Sequence, residues 1–89
     1  MQQKKREEAQ LLVEKAISLK QDHPKYHITL VEIHYENKDL IKAIQSMEKV
    51  LKLRPNNTDY LLTMATLYEE AKKITLAKKY YKKVLEINP

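Results

Sequence analysis

The stretch TDYLLTMATLYEEAKKITLAKKYYKKVLEINP, residues 58–89, decides the fold because it repeats the stretch PKYHITLVEIHYENKDLIKAIQSMEKVLKLRP, residues 24–55, at a shift of 34 positions. Nine of the 32 aligned pairs are identical: Tyr26/Tyr60, Thr29/Thr63, Glu36/Glu70, Lys38/Lys72, Ala43/Ala77, Lys49/Lys83, Val50/Val84, Leu51/Leu85 and Pro55/Pro89. Seven more exchange one apolar residue for another, among them Ile33/Leu67, Leu40/Ile74 and Met47/Tyr81. The same shift sets Ala9, Val13, Ala16 and Ile17 against Ala43, Met47, Val50 and Leu51. A fixed period of this length marks stacked supersecondary units. The chain therefore reads as half a unit over 1–23, a full unit over 24–57 and a second over 58–89.

The spacing inside each unit is helical. Leu61, Met64, Ala65 and Tyr68 recur at three and four residues, and so do Ala77, Tyr81, Val84 and Leu85. A single helix over 58–88 is the rival reading. Its stripe, 61, 64, 68, 71, 74, 77, 81 and 84, takes seven steps over 23 residues. Against 3.6 residues per turn that stripe drifts by roughly 220°, more than one partner surface can follow. A break near Lys72–Thr75 is expected instead. In the first unit Asn37-Lys38-Asp39 offers a residue tolerant of left-handed backbone in Asn37 and an N-cap in Asp39. The second unit has neither, so a less defined turn is expected there. Pro24 suits a first helical turn, with Asp22 or His23 near the cap, and Pro55-Asn56-Asn57-Thr58 ends one helix and caps the next. These signals predict helices over 4–21, 24–37, 40–53, 58–71 and 74–87.

Composition narrows the chemistry. The 89 residues contain no glycine and no cysteine. Without glycine there is neither a phosphate-cradling loop nor a dinucleotide fingerprint, and tight β-hairpins lose their best turn formers. Without cysteine there is no disulfide framework, zinc knuckle or thiol nucleophile. The net charge is +5, but of 17 basic residues only Arg6 and Arg54 are arginine, which weakens a nucleic-acid reading. No secretory h-region and no membrane-spanning apolar run is present, so a cytoplasmic setting is the default.

The pattern resembles the tetratricopeptide repeat, whose signature is large-x2-Leu-small-x2-aromatic, then Ala-x3-aromatic, then Pro. The second unit carries Leu61-x2-Met64-Ala65-x2-Tyr68, Ala77-x3-Tyr81 and Pro89. The first carries His27-x2-Leu30-Val31-x2-His34, Ala43-x3-Met47 and Pro55, and residues 1–23 fit the second helix of a preceding repeat. Departures are Val31 at a small-residue position, histidine at two aromatic ones, and Lys38 and Lys72 where the family usually has glycine. The resemblance implies an all-α fold, a right-handed α-α superhelix of helical hairpins with five helices. It also implies a protein-interaction scaffold with no cofactor and no enzymatic role. A peptide or amphipathic helix would lie in a concave groove lined by Lys25, Ile28, Thr29, Glu32, Tyr35 and Glu36 of the first full unit. Asp59, Leu62, Thr63, Thr66, Glu69 and Glu70 of the second would complete it.

Charge divides along the same lines. The segments 24–36 and 55–71 sum to −1 and −3, whereas 37–54 and 72–89 sum to +3 and +5. The groove is therefore expected to be mildly acidic with apolar spots, suited to a basic and apolar partner; the alternative is that these charges only solvate an open surface. The family's clamp for chaperone C-terminal carboxylates resembles nothing here, because Ile28, Glu32 and Thr63 occupy its first positions. Apolar Tyr80, Val84 and Ile87 near the last helix's end suggest a fragment of a longer array or self-association through uncapped terminal helices. A further alternative is a Lys-rich arm, with Lys78, Lys79, Lys82 and Lys83 on one face, contacting nucleic acid or an anionic membrane surface. His23, His27 and His34 lack metal-site spacing, and neither Ser18 nor Ser46 has a readable triad, so no metal or catalytic residue is assigned.

Overall fold

A computed structural model describes residues 2–89; Met1, which opens the unit expected over 1–23, lies outside the described residues. Five helices follow one another: α1 Gln2–Leu19, α2 Pro24–Glu36, α3 Leu40–Leu53, α4 Thr58–Glu70 and α5 Ile74–Ile87. No strand occurs among the described residues. Two of the predicted helices, α3 and α5, have the expected bounds; α2 and α4 end one residue early. Helix α1, expected over 4–21, begins at Gln2 rather than Lys4 and stops at Leu19 rather than Gln21. Its end is governed from downstream. Pro24 occupies the first turn of α2 and pushes His23 into extended backbone, φ −96° and ψ 106°, so the chain must leave the helix before it.

The chain does break between α4 and α5, at Ala71–Lys73, and the single-helix alternative is excluded. The details of both intra-hairpin turns differ from expectation. Asn37 is not left-handed, at φ −79°; Lys38 is, at φ 61°, and Lys72 matches it at φ 65°. Lys38 N donates to Tyr35 O and Asp39 N to His34 O; Lys72 N donates to Glu69 O and Lys73 N to Tyr68 O, at 2.8–3.0 Å throughout. Both turns are therefore the same Schellman closure, and the second is as well defined as the first. The closure satisfies helix-end carbonyls with backbone donors alone, so the missing Asn and Asp side chains do not loosen it.

Caps follow the side chains available. Asp39 Oδ1 accepts from Lys42 N at 3.1 Å to start α3, and Asn57 Oδ1 accepts from Tyr60 N at 3.0 Å to start α4. The N-caps of α2 and α5, His23 and Lys73, make no side-chain capping bond.

The close backbone approaches are between sequence neighbours, α1 with α2, α2 with α3, α3 with α4 and α4 with α5, and α2 and α4 meet through side chains. Short turns between packed neighbours make successive helices antiparallel, so α1, α3 and α5 run in one direction. The principal extents are 41 × 27 × 15 Å and the radius of gyration is 13.6 Å, above the roughly 12 Å of a compact globule of this length. The shape is that of a short solenoid, in which neighbouring units supply one another's core. One continuous cluster joins Val31 of α2, Ala43, Ile44, Met47 and Val50 of α3, Met64, Leu67 and Tyr68 of α4, and Ala77 of α5. Ala43, Ala65 and Ala77 are buried, where a small side chain lets helices approach closely. Helix α1 adds only half-buried Ala9, Val13, Ala16 and Ile17. His27 and His34 are buried packing residues. His27 Nε2 donates to Gln21 O at 3.0 Å and ties down the α1–α2 turn.

Candidate functional site

Helices α2 and α4, first in their respective hairpins, form the walls of an open cleft of about 680 Å³. On α2, Thr29, Glu32, Ile33 and Glu36 recur at three- and four-residue steps, as Leu62, Thr63, Thr66, Leu67 and Glu70 do on α4. A stripe of that period on each helix faces one direction. Tyr35 joins the lining, and buried Val31, Ile33 and Leu67 lie at its floor.

Of the twelve groove residues expected from the sequence, the structure gathers eight around this cleft: Thr29, Glu32, Tyr35, Glu36, Leu62, Thr63, Thr66 and Glu70. Four lie elsewhere. Lys25 and Asp59 are exposed near the starts of α2 and α4 and do not line it. Ile28 packs against the core cluster. Glu69 turns toward its own hairpin partner, where its carboxylate accepts a bond from Tyr81 Oη at 2.8 Å. Val31 stands at a small-residue motif position and Ile33 and Leu67 are a matched apolar pair at the 34-residue shift; only the separation of α2 from α4 shows that they floor a cleft.

The polar groups in the cleft share one property. Thr29 donates its hydroxyl proton to Lys25 O, Thr63 to Asp59 O and Thr66 to Leu62 O, each at 3.0 Å. Tyr35 Oη donates across the cleft to Glu70, 2.8 Å from Oε1 and 3.0 Å from Oε2. That bond, with the charge of Glu70 behind it, raises the phenol's pKa above its ordinary value. Every side-chain proton donor lining the cleft is thus committed to an acceptor within the protein. What remains available to a ligand is the carboxylates of Glu32, Glu36 and Glu70 and the lone pairs of the hydroxyls. At the rim, Arg6 Nη1 donates to Glu36 O at 2.8 Å and fastens α1 to the end of α2.

The family model for the tetratricopeptide repeat matches residues 34–89, more than half of the sequence, and the chain belongs to that family. Solved structures similar to it include one of MamA, at a TM-score of 0.85 and 24% identity over 93% of this chain and 48% of that one. MamA AMB-1 and MamA MSR-1 each give a TM-score of 0.83 at 24% identity, covering 98% of this chain and 51% and 50% of theirs. The chain spans about half the length of these structures, and the likeness is one of fold. No curated protein sequence matches it. The fold is the expected all-α superhelix of five helices, and family membership supports a protein-interaction scaffold in general terms. Repeats of this family are generally non-enzymatic scaffolds. No helix among the described residues is long and apolar enough to cross a membrane.

Proposed function

We propose that the cleft between α2 and α4 receives a peptide or amphipathic helix carrying basic and apolar side chains. In this reading residues 1–23, 24–57 and 58–89 are one half-unit and two full units, and the first helices of the full units supply the two walls. The observation that carries it is the exhausted set of donors. A partner meets three carboxylates and a row of acceptors above Val31, Ile33, Leu62 and Leu67. Guanidinium and ammonium groups are donors without acceptors and complement such a lining, while a carboxylate would find repulsion and nothing to accept from. Apolar side chains between the basic ones would cover the floor, and Tyr35 offers an exposed ring to a cation.

The test is a fluorescence-polarisation titration with labelled peptides in which Leu alternates with Lys or Arg, beside the same peptides with Glu in place of the cations. The basic peptides should bind at least about tenfold more tightly. Glu32→Lys with Glu36→Lys should remove that preference. Glu69→Lys serves as the control, since Glu69 faces Tyr81 rather than the cleft, and should leave affinity nearly unchanged. Basic peptides that bind the Glu32→Lys, Glu36→Lys chain as well as the unaltered one would sink the reading.

A further inference from the structure

One side-chain bond spans the cleft from wall to wall. Tyr35 Oη, on α2, lies 2.8 Å from one carboxylate oxygen of Glu70 and 3.0 Å from the other, on α4. A hydroxyl bonded so nearly equally to both oxygens stands in front of the carboxylate, between them and close to its plane. That is the place a guanidinium fork takes when it makes two parallel N–H···O bonds to one carboxylate. With the mouth filled, Glu70 keeps only the acceptor sites on its outer flanks, one on each oxygen and facing apart. A single planar fork does not reach both. An ammonium has no need of the mouth, because it is a compact charge that bonds one oxygen at a time. Arg6, the chain's own arginine at this rim, bonds Glu36 O on the opposite wall and leaves Glu70 to Tyr35.

We infer, on the reading that the cleft takes a basic and apolar peptide, that Tyr35 makes Glu70 select lysine over arginine in that peptide. An open carboxylate favours arginine through the second bond. Here the Tyr35 hydroxyl withholds that bond, while its exposed ring is offered to either cation. A guanidinium that displaced the hydroxyl would first break a bond to an ionised acceptor, a loss of the same kind as the bond it gains. A lysine reaches an outer oxygen with the Tyr35 bond intact. Exposed Glu32 and Glu36 carry no such block and take either cation, so the discrimination is local to Glu70. Tyr35 is thus a specificity-determining residue that acts through Glu70.

The test uses the polarisation titration with two labelled peptides, one alternating Leu with Lys and the other Leu with Arg. Four chains are compared: unaltered, Tyr35→Phe, Glu70→Gln and the two changes combined. Tyr35→Phe keeps the ring and removes only the hydroxyl; both positions are exposed, and circular dichroism checks that each chain folds. The quantity read is the ratio of the two affinities, to which the contributions of Glu32 and Glu36 are common. Tyr35→Phe should move that ratio at least about fivefold toward the Arg peptide. With Glu70 already Gln, the same change should leave the ratio within about twofold. A ratio unmoved by Tyr35→Phe would overturn the inference, as would an equal shift in the Glu70→Gln chain, since the hydroxyl would then act elsewhere. Either result leaves the binding of basic peptides, and with it the cleft reading, in place. If neither peptide binds the unaltered chain more tightly than its Glu counterpart, the cleft reading fails and the selectivity fails with it.

Discussion

Helices α3 and α5 stand one 34-residue period apart and carry matching apolar positions: Leu40 and Ile74, Ala43 and Ala77, Met47 and Tyr81, Val50 and Val84, Leu51 and Leu85. Their surroundings differ. Helix α3 lies between α2 and α4, and its Met47 and Val50 are fully buried. Helix α5 packs on α4 alone; Tyr81 and Val84 are half-buried and Leu85 is largely exposed. Equivalent residues thus contribute unequally, because in a solenoid burial belongs to the stack and not to the unit. The largest expected effect follows from this difference. Met47→Ala should cost about 2–5 kcal/mol of unfolding free energy, the usual range for emptying a sealed core position. Tyr81→Ala should cost less than half as much despite removing more atoms, since its ring already contacts water and its hydroxyl bonds exposed Glu69. Chemical denaturation of both chains decides it, and equal losses would mean that α5 is sealed as tightly as α3.

The second effect concerns the two hairpin turns, where the equivalence is close. Lys38 and Lys72 both hold left-handed backbone, a conformation that costs a side-chain-bearing residue about 1–2 kcal/mol relative to right-handed backbone. Lys38→Gly and Lys72→Gly should each stabilise the chain by about 1 kcal/mol, after the greater flexibility of glycine in the unfolded chain is offset. Similar gains at the two sites would strengthen the view that one backbone closure serves both turns. A gain at Lys38 alone would show that the second turn relaxes its strain in solution.

Helix starts separate the two units again, with a smaller effect. Asp39 caps α3, whereas its counterpart Lys73 has similar backbone angles, φ −99° and ψ 73° against φ −104° and ψ 80°, but no side chain that can accept. Lys73→Asp should let a carboxylate accept from Leu76 N and add about 1 kcal/mol, and Asp39→Ala should remove about as much. Thermal melts of the two chains, shifted in opposite directions, would check both.

These contrasts also show what could be read before the structure. The 34-residue period is a statement about side-chain spacing, and it carried the helices, the hairpin pairing and the family resemblance. Turn geometry was less legible. Asn37 looked like the left-handed residue because asparagine tolerates that conformation, yet the Schellman closure puts the left-handed residue one position past Asn37, at Lys38, against its intrinsic preference. The cleft was legible as two stripes but not in its edges. Glu69 and Glu70 both lie within about 60° of Thr66 around the helix, and only the hydrogen bond to Tyr81 sends one of them to α5. The committed hydroxyl protons were equally invisible, because Thr29, Thr63 and Thr66 could have turned outward as donors. The Tyr35–Glu70 bond spans 35 residues, one more than the period, so an alignment at 34 sets Tyr35 beside Glu69 instead.

The smallest effect comes from the equivalent pair His34 and Tyr68, both buried at corresponding points of α2 and α4. Burial is the main influence on each. It lowers the imidazole's pKa below its ordinary 6.5, with Lys42 acting in the same direction and Asp39 and Glu14 opposing. It raises the Tyr68 phenol, helped by Glu48 and Tyr80, so that tyrosine stays neutral across the physiological range. Of this pair, only His34 therefore couples folding to pH near neutrality. Between its folded pKa and 6.5 the unfolded chain binds more protons, so stability rises with pH there. The contribution is complete above about pH 6.5 and is lost as pH falls through the folded pKa. His34→Tyr, which copies the second unit into the first, should flatten the dependence of the urea midpoint on pH between about 5 and 7. His23 and His27 remain in both chains, so the difference between the two profiles isolates His34. An unchanged slope would mean that His34 reaches solvent when protonated, and that α2 opens toward water where α4 does not.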